Sequence, residues 1–133
     1  MPFPRILLGV PLLVAGIVLP AAGAEPVTPP ATAIGMDHEV FTTDVVTIRQ
    51  GETLTLVNNS RWVHIVGAGR GGRLNDSSAA VPVEFRRLME TNDTYTSGKW
   101  NTPGEYYLTC SVHPEMTVEV VVTECGCCSN GTC

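Results

Sequence analysis

The sequence predicts an all-β sandwich of seven or eight short strands behind an N-terminal leader, and three observations carry that prediction. Apolar residues recur at period two, as in Leu54 and Leu56, in Tyr106, Leu108 and Cys110, and in Val118, Val120 and Val122, which is the spacing that puts side chains on one face of a strand. Turn residues punctuate the chain at Gln50-Gly51-Glu52, Asn58-Asn59-Ser60, Asn92-Asp93 and Pro103-Gly104. No stretch beyond the leader shows the 3.6-residue apolar period of a helix. Many short strands with frequent turns and no helices read as a sandwich.

The leader is residues 1–24. Arg5 precedes fourteen residues, Ile6 to Leu19, that are apolar apart from glycine and Pro11, and Pro20 and Ala22-Gly23-Ala24 follow. This is the n-region, h-region and small-residue cleavage site of a signal peptide. Fourteen residues fall short of the roughly 20 that a spanning helix needs. The expected product is therefore exported, periplasmic or extracellular, with no stable membrane insertion after cleavage. Removing 24 of the 133 residues leaves 109, enough for one small domain. The leader carries Arg5 and no acid, so the net charge of −5 becomes −6. Nucleic acid is excluded as a partner, because phosphate neutralisation needs clustered Lys and Arg.

Residues 25–35, rich in Pro, Thr and Ala, read as a flexible lead-in. The domain is expected over 36–124. Met36 to Phe41 is a first strand or an arm lying on the domain, with Met36 and His38 at a solvated strand edge. Val45–Arg49 and Thr53–Asn58 form a hairpin-like pair around Gly51. Trp62 to Val66 resumes the strand pattern, and alternation sends Trp62, His64 and Val66 to one face. Residues 67–82, with four Gly, two Ser and three Ala in sixteen positions, read as a surface loop. It is not a phosphate cradle, since no Gly-Lys-Ser/Thr follows. Arg70 and Arg73 in that loop are either solvated charges or a docking feature beside the His64 strand. Further short strands are expected at 83–89, 94–97 and 99–101, then one ending at Cys110 and a last one over Val118 to Val122.

The chemistry is concentrated in Cys110-Ser111-Val112-His113-Pro114-Glu115-Met116. A thiolate, an imidazole and a thioether within one turn are soft ligands, and they point to copper: a His₂Cys plane with a weak axial Met is an electron-transfer copper set. The missing imidazole must come from elsewhere. His64, inside Trp62-Val63-His64-Ile65-Val66, is the natural candidate.

The pattern of His64, then Cys110-x₂-His113-x₂-Met116 after Pro103-Gly104-Glu105-Tyr106, resembles the cupredoxins, the small blue-copper proteins, and its loop spacing is similar to that of amicyanin and pseudoazurin. The resemblance spans about residues 36 to 123. It implies a Greek-key arrangement of the sandwich and one type 1 copper ion held by His64, Cys110, His113 and Met116. It also implies a monomer cycling between Cu(II) and Cu(I) with a redox protein as partner. Ile65 stands where small members often carry Asn, whose hydrogen bond ties the two ligand loops together.

No hydrolase signature is present, neither Gly-x-Ser-x-Gly nor His-Glu-x-x-His, so no enzyme is expected. A multicopper oxidase would need a His-Cys-His tripeptide, and a binuclear copper site a second Cys in the loop. The other four cysteines, Cys125, Cys127, Cys128 and Cys133, lie in a tail at 125–133 with no apolar residue to bury. They pair as disulfides or bind soft metal. The second option supports an alternative function, extracytoplasmic copper trafficking or sequestration. Four N-x-S/T sequons begin at Asn58, Asn75, Asn92 and Asn130.

Overall fold

The computed structural model describes residues 32–76 and 78–126. The leader, residues 25–31, Cys127, Cys128 and Cys133 lie outside the described residues. Nine strands follow in chain order: β1 (Thr32–Met36), β2 (Val45–Arg49), β3 (Leu54–Asn58), β4 (His64–Arg70), β5 (Arg73–Leu74), β6 (Arg87–Met89), β7 (Thr94–Thr96), β8 (Gly104–Cys110) and β9 (Thr117–Thr123). They make two sheets, one ordered β1-β3-β7 and the other β2-β9-β8-β4-β5, with β6 also paired to β4. The pairs β1 with β3 and β2 with β9 are parallel; the rest are antiparallel.

The core lies between the sheets and is built by period-two alternation. Ile34, Met36, Leu54 and Leu56 enter it from the smaller sheet; Ile48, Val66, Leu108, Val118 and Val120 enter from the larger one, all essentially without exposure. Burying each such side chain contributes roughly 2 kcal/mol. Trp100 is also fully buried, and its ring N–H donates to Ser97 Oγ at 3.0 Å.

Several expectations are corrected. The domain starts by Thr32, because residues 32–35 of the expected lead-in pair in register with Leu54 to Val57. Met36 is buried in the core, where its alternation with Ile34 places it, and not at a solvated edge. β2 and β3 do not form a hairpin. The turn at Gly51, φ 88°, reverses the chain but delivers it to the opposite sheet. Val46 and Ile48 thus face Leu54 and Leu56 across the core, which buries both sets. Trp62 precedes β4 and is 52% exposed, so it does not share the buried face of His64 and Val66. Of 83–89 only Arg87–Met89 is strand. Residues 99–101 are not strand, since Trp100 N–H bonds the Glu52 carbonyl of the Gly51 turn.

The glycine-rich stretch is not simply loop. β4 continues through Gly67 and Ala68 against β8 and through Gly69 and Arg70 against β5, the chain reversing at Gly71 and Gly72, whose φ values of 56° and 76° fit a tight two-residue hairpin turn. Gly69 has φ 147°, and a Cβ there would run into the Arg73 carbonyl. A Cβ at Gly71 would meet nothing within 4 Å.

These two glycines give a stability prediction. Gly69→Ala combines strained backbone with a clash and should cost about 3 kcal/mol, whereas Gly71→Ala, strained but unobstructed, should cost about 1 kcal/mol. Chemical denaturation of both variants measures the difference, and equal losses would contradict the packing of the hairpin.

Candidate metal centre

Two neighbouring strands bring the chemistry together. In the antiparallel β4–β8 ladder Val66 lies opposite Cys110, so His64 at the start of β4 and Cys110 at the end of β8 occupy the same end of one sheet. The segment 110–116 then crosses to β9 as a tight loop. Met116 N–H donates to His113 O at 3.0 Å, Cys110 N–H to Met116 O at 3.1 Å, and Thr109 Oγ1 to the same carbonyl at 2.8 Å. Met116 is wholly buried. The backbone bonds thus hold Met116 to both Cys110 and His113.

His64 Nδ1, Cys110 Sγ and His113 Nδ1 form a compact triangle with sides of 3.7 Å, 3.8 Å and 3.2 Å. It is the one His/Cys/Asp/Glu cluster of metal-binding geometry among the described residues. An ion at the centre of such a triangle, bonded at the usual 2.0–2.3 Å to nitrogen and sulfur, would set N···S near about 3.8 Å and N···N near about 3.5 Å. The side chains fit one ion with little adjustment. His64 and Cys110 are fully buried and His113 is half-exposed.

Electrostatics keep the triangle ready for a cation. Burial, with smaller repulsions from His113 and His38, lowers the His64 pKa from 6.5 to about 4, so this imidazole is neutral at neutral pH and offers a lone pair. Its other nitrogen, Nε2, lies 2.9 Å from Ser60 Oγ. Ser60 carries no signal in the sequence beyond its position four residues before His64, in a turn rich in hydrogen-bonding side chains. Asn58 was read there as a strand breaker and a sequon. It is fully buried, and its amide nitrogen reaches the carbonyls of Trp62, Met89 and Glu90, so this sequon is closed in the folded chain.

The two ligand segments remain tied despite Ile65, because Ser111 N–H donates to the Ile65 carbonyl at 2.9 Å. The backbone does what an Asn side chain would do. His38 stacks on Trp62 with ring centroids 4.4 Å apart and meets His113 edge-on at 5.5 Å. It stands outside the donor triangle. The β4–β5 turn reaches the ligand loop: Gly71 and Gly72 N–H groups donate to Thr117 and Thr109 hydroxyls, and a Cβ on Gly72 would sit 3.0 Å from Pro114 Cα. Arg70 of this hairpin lies over the Tyr107 ring at 3.1 Å, and Arg73 is exposed. At the other end of β9, about 20 Å away by strand rise, Cys125 Sγ lies 3.7 Å from the Gln50 carbonyl. The disulfide or metal pairing of the tail falls on Cys127, Cys128 and Cys133, outside the described residues.

Comparison with known proteins finds copper-protein relatives. The chain is 32% identical over 103 residues to amicyanin of Paracoccus versutus, across 77% of this chain and 72% of that protein. The crystal structure of amicyanin from Paracoccus versutus superposes with a TM-score of 0.57 at 28% identity, covering 74% of this chain and 86% of the other. A purple cupredoxin from Nitrosopumilus maritimus shares the fold, with a TM-score of 0.57 at 18% identity over 69% of this chain and 99% of its own. No protein-family model matches.

The lowered pKa of His64 fixes a sign for the metal-free protein. Between pH 6.5 and about 4 the unfolded chain takes up a proton that the folded chain refuses. Its contribution is therefore full above pH 6.5 and is lost as pH falls toward 4. Urea denaturation of metal-free protein across this range should show a steeper loss than in His64→Gln; identical slopes would contradict a buried neutral imidazole.

Proposed function

The chain belongs to the amicyanin family of cupredoxins and is a copper electron-transfer protein, and from that premise we propose that His64, Cys110, His113 and Met116 hold its one type 1 copper ion. The observation that carries the assignment is the buried triangle of two imidazole nitrogens and one thiol sulfur, with Met116 hydrogen-bonded through its backbone to the same loop. Copper held there would supply one-electron cycling between Cu(II) and Cu(I), with the Met116 thioether as the weakest donor, tuning the potential.

The protein's own residues make that cycling inexpensive in rearrangement. His64 and Cys110 sit at the ends of paired strands, so their separation is set by the ladder. The 110–116 loop is closed by backbone hydrogen bonds from Cys110 N–H to Met116 O and from Met116 N–H to His113 O. Buried Met89, Met116 and Val66 exclude water on the core side. On the outer side Trp62, Val63 and Val112 are exposed apolar residues beside or between the ligand positions in sequence, and half-exposed His113 lies among them. This apolar rim suits brief contact with a redox protein. Export to the periplasm or exterior is supported by the leader at residues 1–24.

The finer proposal for the partner concerns Arg70 and Arg73. Their hairpin packs against Pro114, next to His113, and places positive charge beside the ligand loop of an acidic protein. An acidic redox partner would be steered there.

Loaded with Cu(II), the protein should be intensely coloured by thiolate-to-copper charge transfer; Cys110→Ser should lose the colour and keep the fold, and Met116→Leu should keep the colour and raise the reduction potential. Native mass of the blue protein should show one copper per chain and a start at Glu25. A colourless copper form would overturn the ligand assignment, and more than one copper per chain would favour metal handling by the cysteine tail. Replacing Arg70 and Arg73 with Ser should slow electron transfer to the physiological partner by up to about tenfold at low ionic strength, with spectrum and potential unchanged. Equal rates across a salt series would leave both arginines as solvated charges.

A further inference from the structure

Ser60 Oγ is crowded by polar atoms on every side. It lies 2.9 Å from His64 Nε2, 2.8 Å from Asn58 Oδ1, 3.2 Å from the Trp62 carbonyl and 3.1 Å from the Trp62 N–H. A hydroxyl has one proton to give and two lone pairs to receive. The Trp62 N–H takes one lone pair. Asn58 Oδ1 and the Trp62 carbonyl can only accept, so the single proton points to one of them. Asn58 cannot be turned to offer its NH₂ instead, because that nitrogen faces the carbonyls of Trp62, Met89 and Glu90 at 2.7 Å, 3.2 Å and 2.9 Å, and an oxygen there would meet three acceptors. Only the second lone pair is left for His64, whose Nε2 must then carry the hydrogen.

We propose that Ser60, oriented by Asn58, is a positioning residue that fixes His64 as the Nε2–H tautomer and turns an unprotonated Nδ1 into the donor triangle before any metal arrives. The opposite tautomer would spend the Ser60 proton on Nε2. Oγ and Asn58 Oδ1 would then face each other at 2.8 Å with no hydrogen between them, and a proton on Nδ1 would occupy the space that Cys110 Sγ and His113 Nδ1 enclose. The arrangement is buried on the core side, where Asn58 and His64 are wholly inaccessible and Ser60 is 6% exposed, so water does not substitute for the missing bond. The purpose of this lock, though not its existence, rests on the reading of His64 as a copper ligand.

The lock is tested by long-range ¹H–¹⁵N correlation spectra of the purified metal-free protein, which distinguish the two nitrogens of each imidazole. His64 in the wild type should be protonated at Nε2 alone. Ser60→Ala should populate both tautomers and weaken copper affinity by about tenfold or more, the usual effect of removing the group that orients a ligating histidine. Ser60→Thr, which restores a hydroxyl, should recover the single tautomer and most of the affinity. A wild-type His64 protonated at Nδ1 would overturn the proposal without need of any variant. So would a Ser60→Ala protein that folds and shows the wild-type tautomer and affinity. The tautomer is read with no metal present, so its outcome is separate from the colour that tests the ligand assignment.

Discussion

The structure depends on holding three electron-pair donors closer together than they would otherwise settle. Two imidazole nitrogens 3.2 Å apart, each under 4 Å from one sulfur, can share a proton or two but cannot all be satisfied among themselves. Burial removes the water that would otherwise solvate them. A soft cation bound among them would offset the cost of holding such a cluster together. Everything around the cluster acts to prevent its escape: the β4–β8 ladder fixes His64 against Cys110, the Ser111–Ile65 backbone bond joins the two segments, and the Thr109 hydroxyl anchors the carbonyl at the loop's end. For a carrier this rigidity has a direct use, since two oxidation states that favour different geometries are both presented with one compromise.

The fold supplies that rigidity by ordinary means. A sandwich core of alternating aliphatic residues holds the sheet, and the site sits where the larger sheet ends, so that His64 and Cys110 hang from rigid strands while His113 and Met116 lie in the short closed loop between β8 and β9. The hairpin between β4 and β5 then braces the loop from outside. Its two glycines let main-chain N–H groups reach Thr109 and Thr117 and let the chain approach Pro114 closely. The ligand loop is therefore supported on its core side by apolar packing and on its outer side by backbone donors.

The sandwich class and three of the four proposed ligands were legible in the sequence because they are local patterns, and His64 followed as the histidine inside an apolar strand. Cys110, His113 and Met116 lie within seven residues, and period-two alternation is read off any short window. What failed was non-local. Val45–Arg49 and Thr53–Asn58 alternate like a hairpin, and only the need to bury both apolar faces against each other separates them into two sheets. Gly67 to Gly72 has loop composition, yet Gly69 is required by the Arg73 carbonyl once the hairpin closes and Gly72 by the approach of distant Pro114, contacts that only the folded register creates. Met36 looked solvated because the residues after it are polar, while the register with β3 that buries it was invisible. Ser60 and Asn58 looked like turn residues. They are turn residues, and their second role follows from which atoms the turn turns inward.

The two imidazoles of the site, equivalent in a list of ligands, are unlike in how the chain holds them. His64 begins a strand, is wholly buried, and has its far nitrogen engaged by Ser60. His113 sits in the loop, half-exposed; among the described residues its ring meets only the other donors by hydrogen bond and the edge of His38 by packing. The difference is topological. A residue at the start of a central strand inherits the order of the sheet, whereas one midway through the β8–β9 connection inherits only the closure of its loop. The buried imidazole thus sets the geometry, and His113, next to exposed Val112 in the chain, is the donor that reaches the surface.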